Sequence, residues 1–172
     1  MTNQQKELAL NKLDFFFTAN DSPFVQINNA IKSTDNKTVK CLLITNSIDL
    51  LAQYYSGDLK NNKTSKRFKD LLINCGQISN EEAELMYQFR NALNHHFGTF
   101  SFNHLANKKY RFEIHSANKQ LFEERNTMIY VSDLILVNRY FQITENVKNL
   151  IKNDIKRISN FLKVYNFIHP EK

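Results

Sequence analysis

Apolar residues recur at helical spacing through the first half of the chain, and polar or turn-forming residues interrupt them at intervals. Ser22 followed by Pro23 is typical of a helix start, and Ser79 with Glu82 three residues later matches a capping box. The pattern predicts helices over residues 3–19, residues 23–33, Thr38–Tyr55, a segment through Phe68 that stops at Gly76, and a segment from Ser79 to about His96.

The periodicity changes from helical to two after Gly98. Phe100 and Phe102 alternate with polar residues, and apolar residues alternate with charged ones between positions 110 and 114. This alternation predicts a β-hairpin joined by the loop around residues 103–108, and residues 127–131 fit a third short strand. From about Ser132 to Tyr165 the pattern is helical again, as one long helix or two.

The composition favours helices and a buried core. Glycine (3) and proline (2) are scarce, which argues against an all-β fold with many tight turns. Hydrophobic residues make up 42% of the 172 residues, enough for one domain with a real core. We therefore expect a mainly α protein, a single domain over residues 1–172, built as a helical bundle with a small β-hairpin insertion at about residues 98–131.

The sequence also bears on location. No apolar stretch reaches the roughly 18 residues that a membrane-spanning helix needs. Residues 1–20 lack a basic start followed by an apolar run, so we expect no secretory signal. We accordingly expect a cytoplasmic protein with no membrane partner.

Cysteine and histidine placement argues against a metal centre. Cys41 and Cys75 are far apart and belong to no CxxC or Cys/His ligand pattern, so we expect buried, reduced thiols. His104, His115 and His169 stand in different predicted elements, with no acidic or cysteine ligand at metal-binding spacing. The sequence therefore predicts no metal site and no cofactor.

The net charge of +6 is a mild bias towards a polyanionic partner. Lys63, Lys66 and Arg67 crowd one polar connection and the helix start that follows it. In an exposed connection these side chains could follow the phosphate backbone of RNA. The alternative is a solvated basic loop with no ligand.

The helix that ends near residue 96 carries the polar run Arg90-Asn91-Ala92-Leu93-Asn94-His95. At about 100° per residue, Arg90, Asn91 and His95 share a polar flank, whereas His96 falls in the apolar stripe beside Phe89. His95 thus points away from the core in the last turn, where the negative end of the helix favours its protonated form. Such a histidine is a candidate general acid or base, whereas His96 is expected to pack at the edge of the core.

The string from Arg90 to Phe97 resembles the Arg-x4–6-His motif of HEPN domains, with Asn91 at the polar position of that motif. HEPN domains have a helical core, are usually dimeric, and occur in prokaryotic toxins, defence systems and CRISPR effectors. The resemblance implies metal-independent RNA cleavage that leaves a 2′,3′-cyclic phosphate and a 5′-OH. In that chemistry His95 would move a proton, Arg90 would neutralise the phosphate, and Asn91 would orient the pair.

The resemblance also implies self-association. Arg90 and His95 lie about 140° apart on one helix, so we expect that they do not converge within one chain. In HEPN proteins two motif helices meet across a homodimer, and the toxins among them have antitoxin partners. In those toxins the motif continues as His-x-Tyr and the tyrosine can be modified, whereas this chain has Phe97 there. The competing interpretation is a catalytically inactive HEPN-like module that binds RNA or a protein.

Overall fold

The computed structural model describes residues 2–96 and 100–170, apart from the side chains of residues 61 and 96. Within this part of the chain the helices are α1 (Asn3–Thr18), α2 (Pro23–Ser33), α3 (Lys37–Ser56), α4 (Thr64–Gly76), α5 (Asn80–His96), α6 (Asp133–Asn153) and α7 (Ile155–Ile168). The strands are β1 (Phe100–Asn103), β2 (Lys108–Ile114), β3 (Phe122–Arg125) and β4 (Met128–Val131). The protein is therefore mainly helical, with a small sheet between α5 and α6.

The helix boundaries follow from local capping chemistry. The Asn36 side chain accepts a hydrogen bond from the backbone N–H of Val39 at the start of α3, and Ser79 accepts one from Glu82 at the start of α5. Gly57 ends α3 in the left-handed conformation, at φ 71°, which a residue with a Cβ rarely adopts. The predicted helical stretch after Ser132 proves to be two helices. They are separated at Asp154, whose side chain caps α7.

The segment between α5 and α6 matches the predicted insertion in extent but contains one strand more than predicted. The predicted hairpin is confirmed, since β1 and β2 pair antiparallel, and β4 confirms the third strand. A further strand, β3, was not predicted because its sequence, Phe-Glu-Glu-Arg, shows no alternation. The strand order is β1-β2-β4-β3, with β2 and β4 parallel and the other pairs antiparallel, so the insertion is a mixed sheet rather than a hairpin alone.

Helix α3 lies at the centre of the bundle and contacts α2, α4, α5, α6 and α7. Its buried residues cover more than half of its circumference, as expected of a helix with several neighbours. Aromatic rings of α1, α2 and α7 complete the core, with Phe16 stacked on Phe24 and tilted against Tyr54. Because the middle of α3 is enclosed, the charged side chain of Asp49 there must find a partner inside the protein.

Both cysteines are buried and free, as predicted. None of the described helices combines the length and the apolar character that crossing a membrane requires.

Candidate functional site

The polar flank of α5 forms one wall of an open cleft of about 580 Å³, and strand β1 with the turn after it forms the other. The residues that line it are Thr64, Tyr87, Arg90, Asn91, His95, Phe100, Ser101, Phe102 and His104. The cleft therefore combines a cation, two imidazoles, an amide and three aromatic rings.

The three predicted catalytic residues, Arg90, Asn91 and His95, line this cleft together in a single chain. Whether Arg90 and His95 act within one chain or across a homodimer stays a prediction, since lining the same cleft does not by itself bring the two side chains to one phosphate. Nη1 of Arg90 donates a hydrogen bond to Oδ1 of Asn91 over 3.1 Å. Helical phasing fixes the direction in which a side chain leaves the helix, but a long side chain can cover an arc of the surface.

Arg90 is held from the side of the core by Asp49. Its Nη2 donates to Oδ2 of Asp49 over 2.8 Å, linking α5 to α3. The other carboxylate oxygen of Asp49 lies 3.5 Å from Nη2 of Arg67, and the Asp49 side chain is only 12% exposed. Two positive charges thus share one negative charge, which leaves a net positive charge of one at the wall of the cleft.

Arg67 does not lie on an exposed surface, so its predicted role as a surface RNA contact is wrong. Its side chain is 5% exposed, and Nη1 donates to the backbone carbonyls of Asp58 and Lys60. A buried guanidinium needs several acceptors, and here the chain before α4 folds around it to provide them. Arg67 therefore holds the loop between α3 and α4 and helps to neutralise Asp49.

The other two predicted RNA contacts are exposed but stand apart from the cleft. Lys63 forms an ion pair with Asp58, with 3.0 Å between Nζ and Oδ2. Lys66 is exposed and lines a different surface depression together with Lys69 and Glu84. The structure does not bring these two lysines to the cleft that contains Arg90, Asn91 and His95.

The structure tests the predicted position of only one of the two neighbouring histidines. His95 is exposed in the final turn of α5 and lines the cleft, as its predicted position on the polar flank requires. The side chain of His96, and Phe97 and Gly98 with it, lie outside the described residues. The expectation that His96 packs at the core edge therefore stays a prediction.

Sequence reasoning missed His104 and Asp49. His104 follows β1, lines the cleft, and places its ring edge-on to Phe102 with 4.7 Å between the ring centroids. The sequence signal for Asp49 was present, since it is the single acidic residue of α3 and stands in its apolar stretch. His104 gave no comparable signal, because its relation to α5 depends on how the hairpin docks.

Glu84 fixes the position of the hairpin against α5. Its carboxylate accepts hydrogen bonds from Lys69 and Gln88, both at 2.8 Å, and from Asn103 at 2.9 Å. Ser101 of β1 in turn donates to Oε1 of Gln88 over 2.7 Å. Burial opposes ionisation of Glu84, but the hydrogen bonds from Lys69 and Gln88 outweigh it and hold its pKa below its usual value. The wall that carries His104 is thus tied to the helix that carries His95.

Among residues 2–96 and 100–170, no three His, Cys, Asp or Glu side chains come together in a way that could hold a metal ion. The cleft itself contains the guanidinium of Arg90 as a cation and the imidazoles of His95 and His104. Such a set can bind an anion and transfer protons, and it needs no metal for either task.

No protein-family model matches this chain. No curated protein and no solved structure is significantly similar to it either. A function must therefore be argued from the chemistry of the cleft and from the motif on α5.

Proposed function

We propose that this chain is a HEPN-like, metal-independent endoribonuclease whose site is the cleft between α5 and β1. The observation that carries the proposal is that Arg90, Asn91 and His95, which match the Arg-x4–6-His motif, line one cleft. The net positive charge of the Arg67–Asp49–Arg90 cluster favours an anionic ligand at that wall. The volume of about 580 Å³ is in the range of small-molecule and nucleotide sites.

The reaction needs one proton acceptor and one proton donor. His95, in its neutral form, accepts the proton of a ribose 2′-OH while O2′ attacks the adjacent phosphorus and forms the new P–O bond. The bond from phosphorus to O5′ breaks, and His104, in its protonated form, donates a proton to the departing O5′. The products are a 2′,3′-cyclic phosphate and a 5′-OH, and no external nucleophile is consumed.

Arg90 and Asn91 act on the phosphate rather than on the protons. The guanidinium neutralises the charge that builds up on the non-bridging oxygens as O2′ attacks. Asn91 accepts a hydrogen bond from Arg90 and so limits the orientations of the guanidinium. Because Arg90 is already fixed on two sides, little reorganisation is needed when the phosphate enters.

The family resemblance adds a biological role to this proposal. We propose that the protein acts as a toxin or defence effector, forms a homodimer and has an antitoxin partner. Expression in a bacterial host tests this part. Wild type is expected to arrest growth, whereas His95→Ala is expected to be tolerated at the same protein level. Equal growth with both proteins would remove the toxin role and leave the cleavage chemistry to be tested directly.

The direct test is incubation of a labelled single-stranded RNA with purified protein in EDTA. His95→Ala and Arg90→Ala are each expected to lower the cleavage rate by about 100-fold or more. The matched control is His169→Ala, at an exposed position after α7 that does not line the cleft. Cleavage that continues unchanged in His95→Ala would remove the mechanism, and a comparable loss in a folded His96→Ala would assign the role to the other histidine.

A second candidate function is a catalytically inactive module that binds RNA. It is favoured by the hydrogen bonds of Arg90, because both of its terminal nitrogens donate within the protein, to Asn91 and to Asp49. A guanidinium engaged in this way can stabilise the fold without contacting a phosphate. Binding of RNA with no 2′,3′-cyclic phosphate product from wild type would select this candidate.

A further inference from the structure

The two faces of the β1–β2 hairpin differ in character. Residues directly opposite each other in an antiparallel pair point to the same face. Phe100 pairs with Arg111 and Phe102 pairs with Lys109, so these four side chains share one face. Ser101 pairs with Tyr110 on the other face, and both are buried.

The buried face of the hairpin packs against α5. Phe112 packs on Phe89 of α5, with 5.2 Å between the ring centroids, and Ser101 donates to Gln88 of the same helix. Tyr110 stacks beside Phe112 on this face. The buried residues of β2, Tyr110 and Phe112, therefore pack in the core.

The opposite face is less buried. Phe100 and Phe102 are only half-buried, and both line the cleft that contains His95. Lys109 and Arg111, directly across from them, are exposed. The aromatic pair therefore extends the wall of the cleft onto a surface that carries two positive charges.

We propose that this face, formed by Phe100, Phe102, Lys109 and Arg111, is a subsite for single-stranded RNA next to the cleft. Bases stack on the two phenylalanine rings, and the phosphates lie beside Lys109 and Arg111. The proposal deepens the ribonuclease function and shares its site, but the binding it describes does not require cleavage.

The spacing along β1 selects unpaired nucleotides. Phe100 and Phe102 are two residues apart on one strand, so their Cα atoms are about 7 Å apart. That is roughly twice the 3.4 Å rise between stacked bases in a duplex strand. A base that lies on one ring, or that inserts between the two rings, must leave its own stack and its pairing partner.

The charged side chains on this face determine where the RNA phosphates bind. Glu113 is exposed and continues the row of Lys109 and Arg111 along β2. A phosphate would be repelled there, so the backbone is placed beside Lys109 and Arg111 and not further along the strand. His104, edge-on to Phe102, marks the point at which this face meets the cleft.

The test is binding in the absence of cleavage, with the full chain carrying His95→Ala and a fluorescein-labelled 12-nucleotide RNA of mixed sequence. Anisotropy gives the Kd for this single strand, for the same RNA as a duplex, and for the matching single-stranded DNA. We expect the single strand to bind more tightly than the duplex. Phe100→Leu and Phe102→Leu are expected to weaken single-strand binding by at least about fivefold each.

Charge variants provide the second measurement. Lys109→Gln with Arg111→Gln is expected to reduce the slope of log Kd against log salt by about 1.4, or roughly 0.7 for each charge removed. Lys152→Gln with Lys156→Gln removes the same charge from exposed positions on α6 and α7, and the slope is expected to stay at its original value. Circular dichroism confirms that each variant is folded.

The outcomes separate this subsite from the ribonuclease function. The subsite is overturned if the Lys109/Arg111 and Lys152/Lys156 double variants have equal Kd values and equal salt slopes. It is also overturned if the protein prefers the duplex and the phenylalanine substitutions have no effect. Both conclusions hold even if wild type cleaves RNA. Wild type that binds the single strand through this face without cleaving it supports the subsite and overturns the ribonuclease proposal. Failure to bind any of the three nucleic acids overturns the subsite outright.

Discussion

Arg90 and Asp49 form an ion pair between α5 and α3, with 2.8 Å between Nη2 and Oδ2. The carboxylate belongs to the most enclosed helix of the bundle, and the guanidinium lines the cleft. One contact therefore links the packing of the core to the position of the cation at the proposed site. A substitution of Asp49 is therefore expected to change both the free energy of unfolding and the position of the Arg90 guanidinium.

Asp49→Asn is expected to lower the free energy of unfolding by about 3–5 kcal/mol, the cost of removing one partner of a buried ion pair. The physical reason is that Arg67, with its side chain 5% exposed, and Arg90 are left without a counter-charge. Urea unfolding followed by circular dichroism measures the change. Asp14→Asn, at an exposed position on α1, is the control and is expected to stay within about 0.5 kcal/mol of wild type. Equal stability of the two variants would show that Asp49 is not the counter-charge of the cluster.

Glu84 makes the docking of the hairpin sensitive to acid. Its folded pKa is lower than the usual value of 4.5, so its contribution to stability is present above that pH and is lost as the pH falls through the folded pKa. Glu84→Gln is therefore expected to be less stable than wild type at pH 7, with a difference that shrinks as the pH is lowered below about 4.5. Urea unfolding at a series of pH values measures both proteins. A difference that stays constant across the series would contradict the ionic role of Glu84.

The two thiols are expected to be unreactive in the native protein. Burial, assisted by the carboxylate of Asp133, raises the pKa of Cys41 to about 12, and burial raises the pKa of Cys75 to about 11. Because the thiolate is the reactive form, Ellman's reagent at pH 8 should modify neither cysteine in the native protein over minutes and both in urea. Rapid modification of the native protein would show that one thiol is accessible, and mass spectrometry of the peptides would identify it.

The sequence predicts local features of this protein better than contacts between distant residues. Helix ends such as Ser79 and Gly57 are determined by capping within a few residues, and hence they could be recognised directly. The placement of His95 away from the core likewise follows from one helix alone. The burial of Arg67 could not be inferred in this way, because it depends on Asp49, eighteen positions earlier, and on the loop that packs around the guanidinium.

The cleft is a further example of this limit. Phasing along α5 separates Arg90 from His95, but the cleft is defined by a second wall, β1, that the phasing of α5 does not contain. The position of that wall depends on two hydrogen bonds that join helix and strand, from Asn103 to Glu84 and from Ser101 to Gln88. Polar residues that dock one element on another give little signal in a single sequence, and His104 was missed for this reason.

Whether one chain completes the site can be decided by mixing two inactive variants. If Arg90 and His95 act within the same cleft, mixing Arg90→Ala with His95→Ala yields no complete site, and we expect no RNA cleavage above that of either variant alone. A composite site across a symmetric homodimer would behave differently, because mixed dimers contain one intact pair and activity would recover to about a quarter of wild type after subunit exchange. The rate of 2′,3′-cyclic phosphate formation is the measurement, with the two variants unfolded in urea and refolded together to allow exchange. Wild type refolded in the same way is the control. Recovery of activity in the mixture would show that the site lies at the interface between two chains and not within one.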